Sequence, residues 1–268
     1  MKTLKFLLKT FFFLFFGLYL IVVTYVYCNQ VDMIFHKSKI AKDFKFTFDN
    51  DFEEVDIKSF DNTILHGLLF KSKNSKGLIF YLHGNAGAVD SWGDISKIYT
   101  DNGYDIFILD YRSFGKSSGN ITDESQFNKD VSYAYKNMMQ HYSQDKIVVV
   151  GYSIGTGPAT ILASDFKPKT LILQAPYYSL PDLGATQIPF IPTFLYKFKF
   201  ETFKYISKVK CPIYIFHGDK DLLINISNSK KLQKLIKSGD KFFTLSDEDH
   251  IGINYNIDFR NQLKLILK

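Results

Sequence analysis

The chain has 268 residues, 46% of them hydrophobic and 17% aromatic, which suits one large domain or two small ones and excludes wholesale disorder. Its net charge of +6 comes from lysines scattered along the whole chain, so neither a basic stripe nor a known motif marks a nucleic-acid partner. Cys28 lies in an apolar run and Cys211 precedes Pro212; neither reads as half of a disulfide, no metal-ligand spacing exists, and no metal or cofactor is expected.

Lys2, Lys5 and Lys9 precede residues 10–31, a stretch without a charged side chain. A helix of roughly 20 apolar residues spans the hydrocarbon core of a bilayer, so residues 1–31 are expected to form a single-pass transmembrane anchor. The early lysines favour a cytoplasmic N-terminus and a translocated remainder, a bias that Lys37, Lys39 and Lys42 weaken. A cleaved signal peptide is the competing reading, although its apolar core would be long and no A-x-A-like site follows. Both readings put residues 32–268 outside the cytoplasm.

From residue 53 the pattern alternates between short β-rich runs and helical stretches. Residues 55–60 and 65–70 flank Asp61-Asn62, a turn signal, and predict an antiparallel hairpin. Residues 77–83, 105–110 and 147–151 are continuously apolar, as strands buried on both faces are. Residues 170–173, 213–216 and 241–245 complete eight predicted strands. Helices are expected from Thr122 as N-cap to about His141, over 225–236, and over 254–267. Together these predict an α/β domain with a mostly parallel eight-stranded sheet and helices on both faces. No repeat or low-complexity linker divides it. Residues 176–207 are irregular, with Pro181, Pro189 and Pro192 among Tyr177, Tyr178, Phe190, Ile191, Phe194, Leu195 and Tyr196. They read either as a short apolar lid or as aromatics that cover the sheet.

The most informative segment is Gly151-Tyr152-Ser153-Ile154-Gly155, a G-x-S-x-G pattern at a predicted strand-to-helix junction. A serine on such a tight turn projects its hydroxyl from the carboxyl edge of the sheet. Gly151 and Gly155 flank it because a Cβ at either place would strike the neighbouring strand or helix. The helix that follows aims its N-terminal dipole at the serine, and the Ile154 N–H faces a developing oxyanion. A Gly-rich turn with an incidental serine is the bland alternative, which the strand–turn–helix setting disfavours.

A nucleophile in this setting needs an acid and then a histidine later in the chain. Only His250, in the loop after the last predicted strand, follows both Ser153 and a strand-end carboxylate. The acid is Asp219 or Asp221, which leave one strand together in His217-Gly218-Asp219-Lys220-Asp221. Such an aspartate holds the imidazole tautomer and stabilises the imidazolium. His83-Gly84-Asn85-Ala86-Gly87 follows the first central strand; its small residues admit a substrate, and the Asn85 N–H is the candidate second oxyanion donor. His83 is expected to brace that loop. Residues 110–117 form another strand-end loop, tied by Asp110 and Arg112, in which Ser117 and the neighbouring Ser118 are weak rivals to Ser153.

These blocks resemble the α/β-hydrolase superfamily, and most of all its membrane-anchored serine hydrolases of the monoglyceride-lipase-like and acyl-protein-thioesterase-like kind. The resemblance extends over nearly the whole of residues 32–268. It implies that Asp221 is the acid, that Asn85 supplies an oxyanion N–H, and that carboxylic esters or thioesters of a lipid or acylated substrate are cleaved through Ser153, Asp221 and His250. Similar proteins often carry Gly where this chain has Ser113, a departure confined to a structural loop. A non-catalytic binding or scaffold protein of the same fold, or a peptidase, is the alternative.

Overall fold

The computed structural model describes residues 2–268. α1 (Lys2–Ile34) is one continuous helix of 33 residues, long and apolar enough to cross a membrane, and runs three residues beyond the expected limit of 31. The chain then enters a sheet of eight strands: β1 (Phe52–Lys58), β2 (Ile64–Phe70), β3 (Leu78–Leu82), β4 (Asp105–Leu109), β5 (Ile147–Tyr152), β6 (Thr170–Gln174), β7 (Ile213–Gly218) and β8 (Lys241–Leu245). β1 and β2 form the expected hairpin, with Asn62 in the left-handed region at φ 66°. Across the sheet the order is β8-β7-β6-β5-β3-β4-β2-β1, parallel from β8 to β4.

Burial on both faces explains the uninterrupted apolar strands. Along β3, Phe80 and Leu82 point to one face, where α2 (Glu124–Met138) packs through Phe127, Val131 and Tyr135, and α3 (Thr156–Asp165) through Ala159 and Leu162. Ile79 and Tyr81 point to the other, against Ile95, Tyr99 and the C-terminal helix (Ile257–Ile266) through Phe259 and Leu263.

The helix starts depart from expectation for a consistent reason: a carboxylate or amide oxygen one or two residues further on captures the first N–H groups. Asp123, not Thr122, caps α2 by accepting from Gln126 N–H, and the helix ends at Met138. Asn256 caps the last helix after a 3-10 turn over Gly252–Tyr255, so that helix begins three residues later than predicted. The helix predicted over 225–236 is confined to Ser227–Gln233. Within 176–207, α4 (Leu180–Gln187) is capped by Ser179, and a short helix Thr202–Ile206 follows.

Candidate active site

Because β3, β5, β7 and β8 run parallel, the loops that follow them leave at one edge. That edge brings together Asn85 after β3, Ser153 after β5, Asp221 after β7 and His250 after β8. Ser153 sits at φ 52°, in the left-handed region that a non-glycine residue rarely adopts. The turn closes only because Gly151 and Gly155 lack side chains. A Cβ on Gly155 would stand 2.2 Å from the Leu82 carbonyl oxygen, and one on Gly151 2.7 Å from the Ala159 methyl. After a 3-10 turn over Ser153–Gly155 the backbone enters α3.

The Ser153 hydroxyl donates to His250 Nε2 at 2.9 Å, and His250 Nδ1–H donates to Asp221 Oδ2 at 2.7 Å. Asp221 is buried, and its Oδ1 accepts the N–H groups of Leu223 and Ile224 at 2.9 and 2.8 Å. Burial alone would raise its pKa; hydrogen bonds from His217 and His250, with the charge of His250, overcome that and hold the carboxyl well below the ordinary range. Asp219 takes a different part: its Oδ1 accepts the Asp247 N–H at 2.8 Å and so ties down the loop that carries His250. Gly218 lets that loop approach, since a Cβ there would lie 2.2 Å from the Glu248 carbonyl oxygen.

His217 was not singled out in the sequence, yet it supports Asp221. Fully buried, it lies 3.2 Å from Asp221 Oδ2 through Nε2, which also donates to the Ile224 carbonyl at 2.7 Å, while Nδ1 meets Ser229 Oγ at 2.5 Å. Its place in the same five-residue block as Asp221 was the available signal. Tyr152 hydrogen-bonds the His250 carbonyl, and Tyr177 donates to the Ile154 carbonyl at 3.0 Å. His83 does brace its loop: Nδ1–H donates to the Gly84 carbonyl at 2.7 Å, and its own carbonyl accepts from Tyr111 at 2.8 Å. Ser117 is buried and bonded to the Asp110 carbonyl and the His66 N–H, which removes it from the surface. Arg112 is bidentate to both Asp61 and Asp130 and ties its loop as expected. Ser113 takes φ 69°, a left-handed conformation that glycine adopts more readily than serine.

Two cavities meet at Ser153. One, of about 450 Å³, is lined by His250, Asn85, Trp92, Tyr152 and Tyr255. The other, of about 300 Å³, is lined by Asn85, Ile154, Leu180, Leu183, Ile188 and Tyr196. The aromatic segment 176–207 therefore divides: Tyr177 is buried beneath the elbow, Tyr196 lines the second cavity, and Phe190 and Phe194 are exposed. Among the described residues no cluster of histidine, cysteine and acidic side chains could hold a metal ion.

Residues 77–183, which contain the elbow and the loop around Asn85, match a family described as the alpha/beta hydrolase fold. The whole domain also superposes on solved structures: an esterase of Pyrococcus furiosus, at TM-score 0.69 and 19% identity, covers 87% of this chain and 97% of that one. The hydrolase GrgF of Penicillium follows at TM-score 0.68 and 14% identity, covering 81% and 98%. The chain has the α/β-hydrolase fold. Curated proteins similar to this chain include the lysophosphatidylserine lipase ABHD12 of Danio rerio, 28% identical over 61% of this chain and 48% of the relative. Human alpha/beta hydrolase domain-containing protein 17B is 31% identical over 60% and 56%, and protein bem46 of Schizosaccharomyces pombe 28% over 66% and 63%. The chain thus spans about half to two thirds of the length of these relatives.

Proposed function

We propose that this α/β hydrolase is a membrane-anchored serine hydrolase that cleaves carboxylic ester or thioester bonds of a lipid or acylated substrate. The observation that carries the reading is the unbroken hydrogen-bond chain from Ser153 through His250 to Asp221, at 2.9 and 2.7 Å, with the serine held at φ 52°. In this reading Ser153 Oγ attacks the carbonyl carbon as His250 Nε2 takes its proton. The N–H groups of Asn85 and Ile154 stabilise the oxyanion. Collapse of the intermediate expels the alcohol or thiol, which receives the proton from His250. Water then attacks the acyl-enzyme, gives a proton to His250 and releases the acid, and Ser153 is restored. Asp221 stays ionised throughout and holds Nδ1–H. The leaving group must depart on the side of the proton donor, so it occupies the cavity that His250 lines, and the acyl chain occupies the other.

A lipid-acting relative and an apolar α1 favour a long acyl chain over a small ester. With α1 in the membrane and its lysines inside, the domain faces the extracytoplasmic side. A fluorophosphonate probe tests the nucleophile: it should label the wild type and not Ser153→Ala, with turnover of an ester substrate falling on the order of 10⁶-fold. Turnover retained in Ser153→Ala rejects the assignment.

A further inference from the structure

The inference rests on the serine hydrolase reading and concerns how an acyl chain reaches Ser153. The outer turns of α1 do more than tether the domain. Met33, Ile34 and His36 wall the same 300 Å³ cavity that holds Ser153 and Ile154. Immediately beyond the helix, His36–Lys37 pairs in parallel with Ala86–Gly87. The His36 N–H donates to the Asn85 carbonyl at 2.8 Å, and Asn85 Nδ2 donates to the Ile34 carbonyl at 3.3 Å. The end of α1 is therefore joined to the loop that carries the proposed oxyanion donor.

A second set of contacts binds α1 to residues 188–197. Gln30 is the buried residue of α1, and its amide clamps the backbone on either side of Tyr196: Nε2 donates to the Leu195 carbonyl at 2.7 Å and Oε1 accepts from Lys197 N–H at 2.8 Å. Towards the N-terminus of α1, the Tyr19 hydroxyl donates to the Phe190 carbonyl at 3.1 Å, and Lys197 Nζ lies 4.3 Å from the centre of the Tyr27 ring. From Gln30 to Tyr19 the helix rises about 16 Å, so the segment lies along it for that length. The helix side chains there include Tyr19, Tyr25 and Tyr27, the residue type that gathers where bilayer meets water. Phe190 and Phe194 stand out from the same segment, 53% and 77% exposed, while Ile188 and Tyr196 face the cavity.

We propose that residues 188–197, latched to α1 by Gln30, reach from the membrane interface into the outer leaflet through Phe190 and Phe194, and form with Met33 and Ile34 a port through which the acyl chain of a bilayer lipid passes to Ser153 without crossing water. Each methylene drawn through water would lose its apolar surroundings; a port continuous with the leaflet keeps them. Phe190, Phe194 and Gln30 line neither cavity, so they act on delivery of the chain and not on the bond that breaks.

The full chain in phosphatidylcholine vesicles tests this with two substrates: p-nitrophenyl palmitate dispersed in the bilayer and p-nitrophenyl acetate in the surrounding water. Gln30→Leu removes both clamp hydrogen bonds and should lower palmitate turnover about tenfold, with acetate turnover within about twofold of wild type. The exposed pair Phe190→Glu with Phe194→Glu, which disturbs no buried contact, should do the same. Equal loss on both substrates by this pair, or loss on neither, overturns the port. Phe194→Trp should gain fluorescence that doxyl-labelled lipids quench beyond the wild-type Trp92 signal, and absence of that quenching also overturns it. A wild type that neither takes a fluorophosphonate label nor hydrolyses the acetate rejects the hydrolase reading itself, whatever the quenching shows.

Discussion

Asp219 and Asp221 leave β7 two positions apart and share their chemistry, yet the fold sends them to different tasks. Asp219 accepts a backbone N–H from the His250 loop, while Asp221 is buried and receives His250 itself. Asp221→Asn should therefore lower kcat on the order of 10⁴-fold by favouring the wrong imidazole tautomer, with Asp219→Asn changing it less than about tenfold; steady-state rates on one ester decide it. The depressed pKa of Asp221 has a stability consequence with a definite sign. A carboxyl held below its unfolded value of about 4 stabilises the fold fully above that value and loses the contribution as pH falls toward the folded one. The advantage of wild type over Asp221→Asn in urea midpoint should thus be constant near neutrality and shrink below roughly pH 5. Residues 219 and 221 also mark where sequence reading ended: spacing alone left both open, and the distinction depended on which carboxylate the His250 loop meets.

At the scale of elements, the elbow is the point at which strand, turn and helix constrain one another. Gly155 lies against the Leu82 carbonyl of β3, a backbone atom that cannot swing aside, so Gly155→Ala should remove about 3 kcal/mol or more of stability. Its melting temperature should fall by several degrees, and labelling of the folded fraction by fluorophosphonate should fall with it. All eight strands were legible because each carries a continuous or alternating apolar run that only a sheet buries well. Helix starts were less legible, as at Thr122 and Asp123, where two neighbouring oxygens compete for the same N–H groups. The supports supplied by His217, Tyr152 and Tyr177 left no signal in the local pattern, since each acts on a residue reached by folding rather than by periodicity; only His217, within the block of Asp221, lay near enough to be suspected.

For the whole molecule, the consequential feature is α1. Its charge-free stretch of residues 10–31 is long enough to span a hydrocarbon core; Gln30 is its buried residue, and Val31 and Ile34 at its end pack against the core of the domain. If α1 is an uncleaved anchor, as proposed, the full chain should remain in the membrane pellet through alkaline carbonate extraction and be released by detergent alone. Recovery in the carbonate supernatant would reject the anchor. The same helix closes one wall of a cavity at Ser153 and touches the Asn85 loop, so α1 and the domain are joined beside the candidate site.

Residue chemistry and periodicity by themselves determined the sheet, the position of Ser153 on its turn, the candidacy of His250 by chain order, and the apolar character of residues 10–31. These are local properties: a period of two, a glycine where a Cβ cannot fit, a run without charge. Tertiary structure alone decided which aspartate meets the imidazole, which aromatics of 176–207 are buried beneath the elbow and which stand exposed, and that Gln30 and Ile34 reach loops more than fifty residues away in the chain. Such pairings depend on where parallel strands end at a common edge, a distance that no local pattern encodes.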